Sequence, residues 1–316
     1  MFNAVKINAV KGVKIMQVAN DVTDLIGNTP MLRLNGTLGI EGAEVLAKLE
    51  WYNIGGSVKD RMAKYLIEYA ESAGILSREK TILEATSGNT GISLALIAAA
   101  KGFKITIVMP ESVSVERRKL IRAYGAELIL SPGGKGTSGA IELKRELLRE
   151  HPETYVDIDQ FSHPANVMAH YQTTGREIIE QTDGRVDAVV VGVGTAGTGV
   201  GASMRLKQFR ESIRIIGVMP ELGFAIQGLR NPNESNPTLL FRPESFDEIV
   251  ELNPKQMPLI CATAKRTAER AGLLIGLSAA AILYVTFERA RAMSRDETIV
   301  AVLPDSGMKY LSMDIF

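Results

Sequence analysis

The chain has one cysteine, Cys261, and three histidines, His151, His163 and His170, in 316 residues. A single thiol closes no internal disulfide, which excludes a disulfide-stapled scaffold and suits a reducing cytosol. No pair of the histidines has ligand-like spacing, so no metal set is expected. Cys261 sits in an apolar helix-like stretch, Leu259-Ile260-Cys261-Ala262, which predicts a buried structural residue rather than a nucleophile. Neither sign of charge is in excess, since Lys+Arg and Asp+Glu are both 36. That balance carries no footprint of nucleic acid or an anionic membrane as partner. Long apolar runs are missing too. The longest, Ala271 to Phe287, reaches only the bottom of the roughly 17–25 residues of a spanning helix. Gly272, Gly276 and Ser278 interrupt it, so two buried pieces joined by a turn are predicted. Residues 1–17 alternate lysines with apolar residues and have neither a continuous apolar core nor a small-residue cleavage site, so no export signal is expected. The G-x-S-x-G elbow and the Walker P-loop pattern are absent as well. The expectation is a cytoplasmic protein.

What the chain does have is bulk and alternation. Its apolar content of 46% and charged content of 23% are ordinary for a globular protein. A length of this order predicts about two domains. Strand-like segments are predicted over Ala43–Leu49, Thr81–Ala85, Lys104–Met109, Glu127–Leu130, Ala188–Val193, Ile213–Val218 and Thr298–Leu303. Between them helices are predicted over Arg61–Ala73, Ile92–Lys101, Val115–Tyr124, Gly139–Glu150, His170–Thr182, Val200–Phe209, Lys255–Ala271 and Ser278–Met293. The strands are nearly continuous in apolar residues, as expected when helices cover both faces of a parallel sheet. The pattern is that of a doubly wound α/β protein. Gln160 to Asn166 is the expected crossover between two such units. A second irregular stretch, Gly223 to Glu248, is rich in Pro and Asn, and loops of that length are usually functional.

Two glycine-bearing turns stand at strand-to-helix junctions. Thr86-Ser87-Gly88-Asn89-Thr90-Gly91 holds more small polar side chains than a helix cap needs. Its free N–H groups and the helix dipole make it an anion-binding loop. Gly192-Val193-Gly194-Thr195-Ala196-Gly197-Thr198-Gly199 is the second such turn, and Thr195 and Thr198 add hydroxyls suited to a terminal phosphate. It also matches G-x-G-x-x-G, with Glu221 about where a ribose-binding acid belongs. A nicotinamide-dinucleotide oxidoreductase is therefore an alternative.

Lys59 follows Asn53-Ile54-Gly55-Gly56-Ser57-Val58 and starts a helix beside Asp60 and Arg61. A cation in a first turn opposes the helix dipole, so helix stability does not explain it. A buried lysine has a depressed pKa and serves as a Schiff-base amine or general base. Gly276-Leu277-Ser278-Ala279-Ala280-Ala281 leads into an Ala-rich helix. The alanines predict close packing, and Ser278 offers a hydroxyl to a ring nitrogen.

Taken in order from Leu25-Ile26-Gly27-Asn28-Thr29-Pro30 to Pro304-Asp305-Ser306-Gly307-Met308-Lys309-Tyr310-Leu311-Ser312, these motifs resemble the cysteine synthase (O-acetylserine or O-phosphoserine sulfhydrylase) family of fold-type II pyridoxal-phosphate enzymes. The resemblance implies two doubly wound α/β domains with mainly parallel sheets. Residues 53–162 would form the smaller domain, and 18–52 with 163–316 the larger. It implies pyridoxal 5′-phosphate bound covalently by Lys59, with Asn89 on the ring hydroxyl and Ser278 on the pyridine nitrogen. Gly194, Thr195, Ala196, Gly197 and Thr198 would hold the phosphate. Thr86, Ser87, Gly88, Thr90 and Gln160 would bind the substrate carboxylate.

The implied reaction makes L-cysteine from an O-activated L-serine and a sulfur donor such as sulfide, through an α-aminoacrylate. A homodimer is implied too. Arg230, in the long irregular stretch, stands where O-phosphoserine-using members carry an arginine, so O-phosphoserine is the expected donor and O-acetylserine the second. The chain departs from the family pattern at Ile54 and Gly55, at Ala196, at Ala280, and at Lys309 in place of arginine; Ile54 and Gly55 are expected to reshape the pocket near Lys59. Cystathionine β-synthase-like condensation and serine or threonine dehydration are alternatives of the same chemistry.

Overall fold

The computed structural model describes residues 18–313. The reading of residues 1–17 lies outside them. In chain order the elements are β1 (Met31–Arg33), α1 (Asn35–Leu38), β2 (Glu44–Leu49), α2 (Lys59–Ser72), β3 (Thr81–Ala85), α3 (Asn89–Lys101), β4 (Lys104–Pro110), α4 (Val115–Ala123), β5 (Glu127–Ser131) and α5 (Gly136–Glu150). There follow β6 (Tyr155–Asp157), α6 (Ala165–Gln172), α7 (Thr174–Gln181), β7 (Ala188–Gly192), α8 (Gly197–Phe209), β8 (Arg214–Pro220), β9 (Glu248–Leu252), α9 (Met257–Ala271), α10 (Leu277–Ala292) and β10 (Thr298–Leu303). The fold is α/β with two domains, each built on its own sheet. A four-stranded sheet, β5-β4-β3-β6, is parallel throughout. A six-stranded sheet runs β1-β2-β10-β7-β8-β9, and only β1 is antiparallel to its neighbour.

The apolar runs are interior strands. In β7, Ala188 to Val191 are fully buried, and every residue of β10 is buried. Helices on both faces close the cores, as a parallel sheet requires. The Ala-rich start of α10 packs tightly, with Ala279, Ala280 and Ala281 fully buried. The run from Ala271 to Phe287 is indeed two pieces: α9 ends at Gly272 in a left-handed cap, and α10 begins at Leu277. No helix among the described residues is long and apolar enough to cross a membrane.

Three expectations need correction. The helix predicted over His170–Thr182 is two helices, α6 and α7, parted at Thr173, whose backbone is distorted from ideal helical angles (φ −115°, ψ −75°). Short strands β1, β6 and β9 went unpredicted because three to five residues carry little periodicity. Cys261 is half-buried on α9 rather than buried.

A buried ion cluster ties α2 to the larger sheet. Arg61 donates Nε to Glu50 Oε2 at 2.7 Å and Nη1 to Glu177 Oε1 at 2.6 Å, with second bonds to each carboxylate from Nη2. Lys48 joins it, 2.8 Å from Glu177. The cations hold both carboxyls below the usual range although burial works against that. Arg61 lies two residues after Lys59, so this cluster also fixes the first turn of α2.

Candidate active site

The turn before Lys59 is built from buried polar contacts. The Gly55 N–H donates to Asp60 Oδ2 at 2.6 Å, and Ser93 donates to Asp60 Oδ1. A Cβ on Gly55 would lie 2.5 Å from that carboxylate, and Gly56 has φ +75°, so the Gly-Gly pair is sterically required. Burial pushes Asp60 up to about 6. Ile54 is exposed, and neither it nor Gly55 lines the cleft. The expected reshaping of the pocket by these two residues is therefore not seen.

Lys59 is the first residue of α2, with its side chain on the cleft wall. Among the described residues its amine makes no hydrogen bond and no ion pair. Burial lowers its pKa, and Asp305 is the nearby negative charge opposing that shift. A desolvated, unpaired amine is the form that attacks a carbonyl or takes a proton.

Lys59 shares the cleft, of about 370 Å³, with both glycine-bearing turns. After β3, Thr86, Ser87, Gly88, Asn89 and Thr90 line it, and the Gly88 N–H folds back onto Thr86 Oγ1 at 3.1 Å. Thr90 donates to Gln160 Oε1 at 2.7 Å, and Gln160 Nε2 donates to the Ala85 carbonyl at 3.2 Å. The Thr90 hydroxyl proton is thus engaged with Gln160, which is itself held by the Glu84 carboxylate through its backbone N–H at 3.3 Å. After β7, Gly194, Thr195, Ala196 and Thr198 line an adjoining recess that also touches Lys59. Gly197 is set back, packed against Asn166. Ala196 adopts φ +70°, a left-handed conformation that is uncommon without glycine. Glu221, the acid a dinucleotide site would need, is exposed and lines neither space.

Ser278 stands in the first turn of α10 on the same wall. Gly228 (φ +93°) presses the long loop against it, since a Cβ there would lie 2.9 Å from Ser278 Oγ. Asn89 is held from two sides. Lys309 donates to its Oδ1 at 3.0 Å, and its Nδ2 donates to Asp305 at 2.8 Å. Lys309 also donates to the carbonyls of Gly55 and Gly56, so it links the turn before Lys59 to Asn89. Tyr310 adds a hydroxyl to Asp305 at 2.9 Å, and the other Asp305 oxygen is buried without a partner. Asp305 and Tyr310 were not singled out from sequence. Their signal was available in the terminal motif, where polar residues occur between a strand and a short helix.

Arg230 also reaches the cleft. Its Nε donates to Glu234 at 2.8 Å, its guanidinium stacks over Phe161 at 5.0 Å, and its Nη1 is buried with no partner. A second arginine, Arg117 of α4, was missed. It lines the same cleft, donates to Gln227 at 2.8 Å and stacks over Tyr310 at 4.7 Å. So Lys59, Asn89, Ser278, Gln160, Arg230 and both turns, distant in sequence, meet in one place.

Residues 22–305 match the family model described as "Pyridoxal-phosphate dependent enzyme". A cysteine synthase of Staphylococcus aureus (strain Mu50 / ATCC 700699) is 40% identical over 310 residues, covering 94% of this chain and 97% of the relative. Among solved structures, O-acetylserine sulfhydrylase isoform 3 from Entamoeba histolytica superposes with a TM-score of 0.87 at 34% identity, over 99% of this chain and 94% of that one. An O-ureido-L-serine synthase gives 0.86 at 34%, over 95% and 96%. With its fold, its cleft lysine and this match along most of its length, the chain belongs to the family of pyridoxal-phosphate dependent enzymes.

Proposed function

We propose that the enzyme carries out β-replacement, making L-cysteine from an O-activated L-serine and a sulfur donor such as sulfide, with O-phosphoserine as the preferred donor and O-acetylserine second. The observation that carries this is the unpaired amine of Lys59 facing a cleft that has two separate anion-binding turns. One turn suits a cofactor phosphate and the other an amino-acid carboxylate.

The residues present fit pyridoxal 5′-phosphate. Lys59 offers an amine with no partner among the described residues, and the recess after β7 offers the Thr195 and Thr198 hydroxyls with the N-terminus of α8. Ser278 offers a hydroxyl to the ring nitrogen, and Asn89 has one amide hydrogen beyond the one given to Asp305. When bound, the cofactor supplies the electron sink for charge developing at the substrate α-carbon. Ser278 is a neutral partner for the ring, which disfavours a long-lived carbanion and steers the chemistry to elimination and replacement.

The chain's own work is binding and proton transfer. Thr86, Ser87, Gly88, Thr90 and Gln160 hold the substrate carboxylate, Thr90 through its backbone N–H because its hydroxyl proton goes to Gln160. Lys59 takes the α-proton, its pKa being lowered by burial. Arg230, which lines the cleft, takes the departing phosphate, its buried Nη1 having no partner among the described residues. Glu234 opposes this by pairing with Nε. The balanced charge and lone thiol support a cytoplasmic setting, and a homodimer is the proposed assembly. Residues 53–162 are proposed to form the smaller domain, and 18–52 with 163–316 the larger.

A steady-state comparison of kcat/KM for O-phosphoserine and O-acetylserine with sulfide tests the donor. Arg230→Ala should cripple the first and spare the second. Equal losses would sink the O-phosphoserine reading.

A further inference from the structure

Helices α6 and α8 cross beside the Gly194–Thr198 turn with almost nothing between them. A Cβ on Gly201 would come within 2.2 Å of the Val167 carbonyl oxygen and 2.9 Å of His170 Cβ; one on Gly197 would lie 2.0 Å from Asn166 Oδ1. These glycines, one turn apart on α8, let Asn166 and His170, one turn apart on α6, reach the two threonines of the turn.

Asn166 Nδ2 donates to the Gln160 carbonyl at 2.8 Å and lies 3.0 Å from Thr195 Oγ1. A carbonyl can only accept, so the amide NH₂ must face both atoms. Thr195 Oγ1 therefore accepts from Asn166, and its own proton stays available. The amide oxygen is left buried with no partner. A residue kept only for packing would not need that penalty. His170 is 1% exposed, with Nδ1 2.9 Å from Thr174 Oγ1 and Nε2 3.2 Å from Thr198 Oγ1. Burial and the nearby Arg61 hold its pKa down to about 3, so the ring is neutral and one nitrogen donates while the other accepts.

We propose that Asn166 and His170 are positioning residues for a phosphate held by the Gly194–Thr198 turn, each donating to a threonine hydroxyl so that both hydroxyls aim their protons at the anion. This rests on the assignment of that turn to the cofactor phosphate. For His170 it fixes the tautomer: the proton is on Nε2, and Nδ1 accepts from Thr174. The other tautomer would take the Thr198 proton and present only oxygen lone pairs to the anion, which repel it.

The test is equilibrium binding of pyridoxal 5′-phosphate and of pyridoxal, which lacks the phosphate, to the full-length chain. His170→Leu and Asn166→Leu should each weaken pyridoxal 5′-phosphate by about tenfold or more while leaving pyridoxal unchanged. His170→Gln keeps a donor and should restore most of the loss. Equal weakening of both ligands, or no weakening of the phosphorylated one, overturns the proposal. Nitrogen-15 NMR of the wild-type holoenzyme needs no variant: His170 protonated on Nε2 is expected, and protonation on Nδ1 overturns the His170 role. A wild-type chain that binds the two ligands equally would instead remove the assignment of the turn, and the proposal with it.

Discussion

Asn89 and Asp305, 216 residues apart in sequence, are joined by a 2.8 Å hydrogen bond from the Asn89 amide to the Asp305 carboxylate. Lys309 grips the other end of the same amide at 3.0 Å, so the orientation of Asn89 is fixed before any ligand arrives. The same carboxylate is the charge that holds up the pKa of Lys59 against burial. One residue of the terminal motif therefore bears on both Asn89 and Lys59.

Asp305→Asn keeps the shape and removes the charge. Without that charge the Lys59 amine loses its proton more readily, so its reactivity toward a carbonyl reagent should appear at lower pH than in the wild type. Turnover should fall about threefold or more as the hydrogen bond from Asn89 loses its ionic acceptor. Coincident reactivity profiles against pH in the two proteins would contradict this.

Arg230 is shared between the cleft and Glu234. Glu234→Gln removes a negative charge that competes with a phosphate for the guanidinium. It should raise kcat/KM for O-phosphoserine by about threefold or more and leave O-acetylserine unchanged. A fall for both donors would mean that Glu234 serves the loop rather than restrains the arginine.

Acid stability should report on His170. Its pKa is about 3 in the fold against an ordinary 6.5, so its contribution is fully present above 6.5 and is lost as pH falls toward 3. The slope is at most about 1.4 kcal/mol per pH unit. Asp60, raised from 3.8 to about 6, works oppositely, favouring the fold as pH falls through that interval. His170→Gln leaves only the second, so its urea midpoint should fall less than that of the wild type between pH 7 and pH 4.5. Parallel curves would count against a buried neutral imidazole.

Ala196 holds a left-handed conformation at φ +70° in the anion turn. A β-branched side chain is strongly disfavoured there, and Ala196→Val should cost about 2 kcal/mol or more in urea unfolding. Ala196→Gly relieves the strain but loosens the unfolded chain, so it should stay within about 1 kcal/mol of the wild type. Similar losses for both would point to contacts of the methyl group rather than to backbone strain.

Much of the fold was legible because its interior strands are continuous apolar runs. Thr81–Ala85 and Thr298–Leu303 fall where the pattern puts them. Thr173 was not legible, since a threonine mid-pattern gives no sign of a helix break. Lys59, Asn89, Ser278 and the two turns were legible because each stands at a strand or helix boundary with small polar neighbours. Asn166, His170, Arg117 and Asp305 were not. Each contacts a partner distant in sequence, and neither spacing nor periodicity encodes a contact such as Asn166 to Thr195.

The central claim is replacement at the β-carbon of an activated serine, with Lys59 moving the α-proton. Its most direct test is product analysis by mass spectrometry after incubating the holoenzyme with O-phosphoserine or O-acetylserine, with and without sulfide. L-cysteine formed in step with donor consumption, dependent on sulfide and abolished in Lys59→Ala, is the predicted result. Donor consumed at the same rate without sulfide, with pyruvate and ammonia as the products, would contradict it.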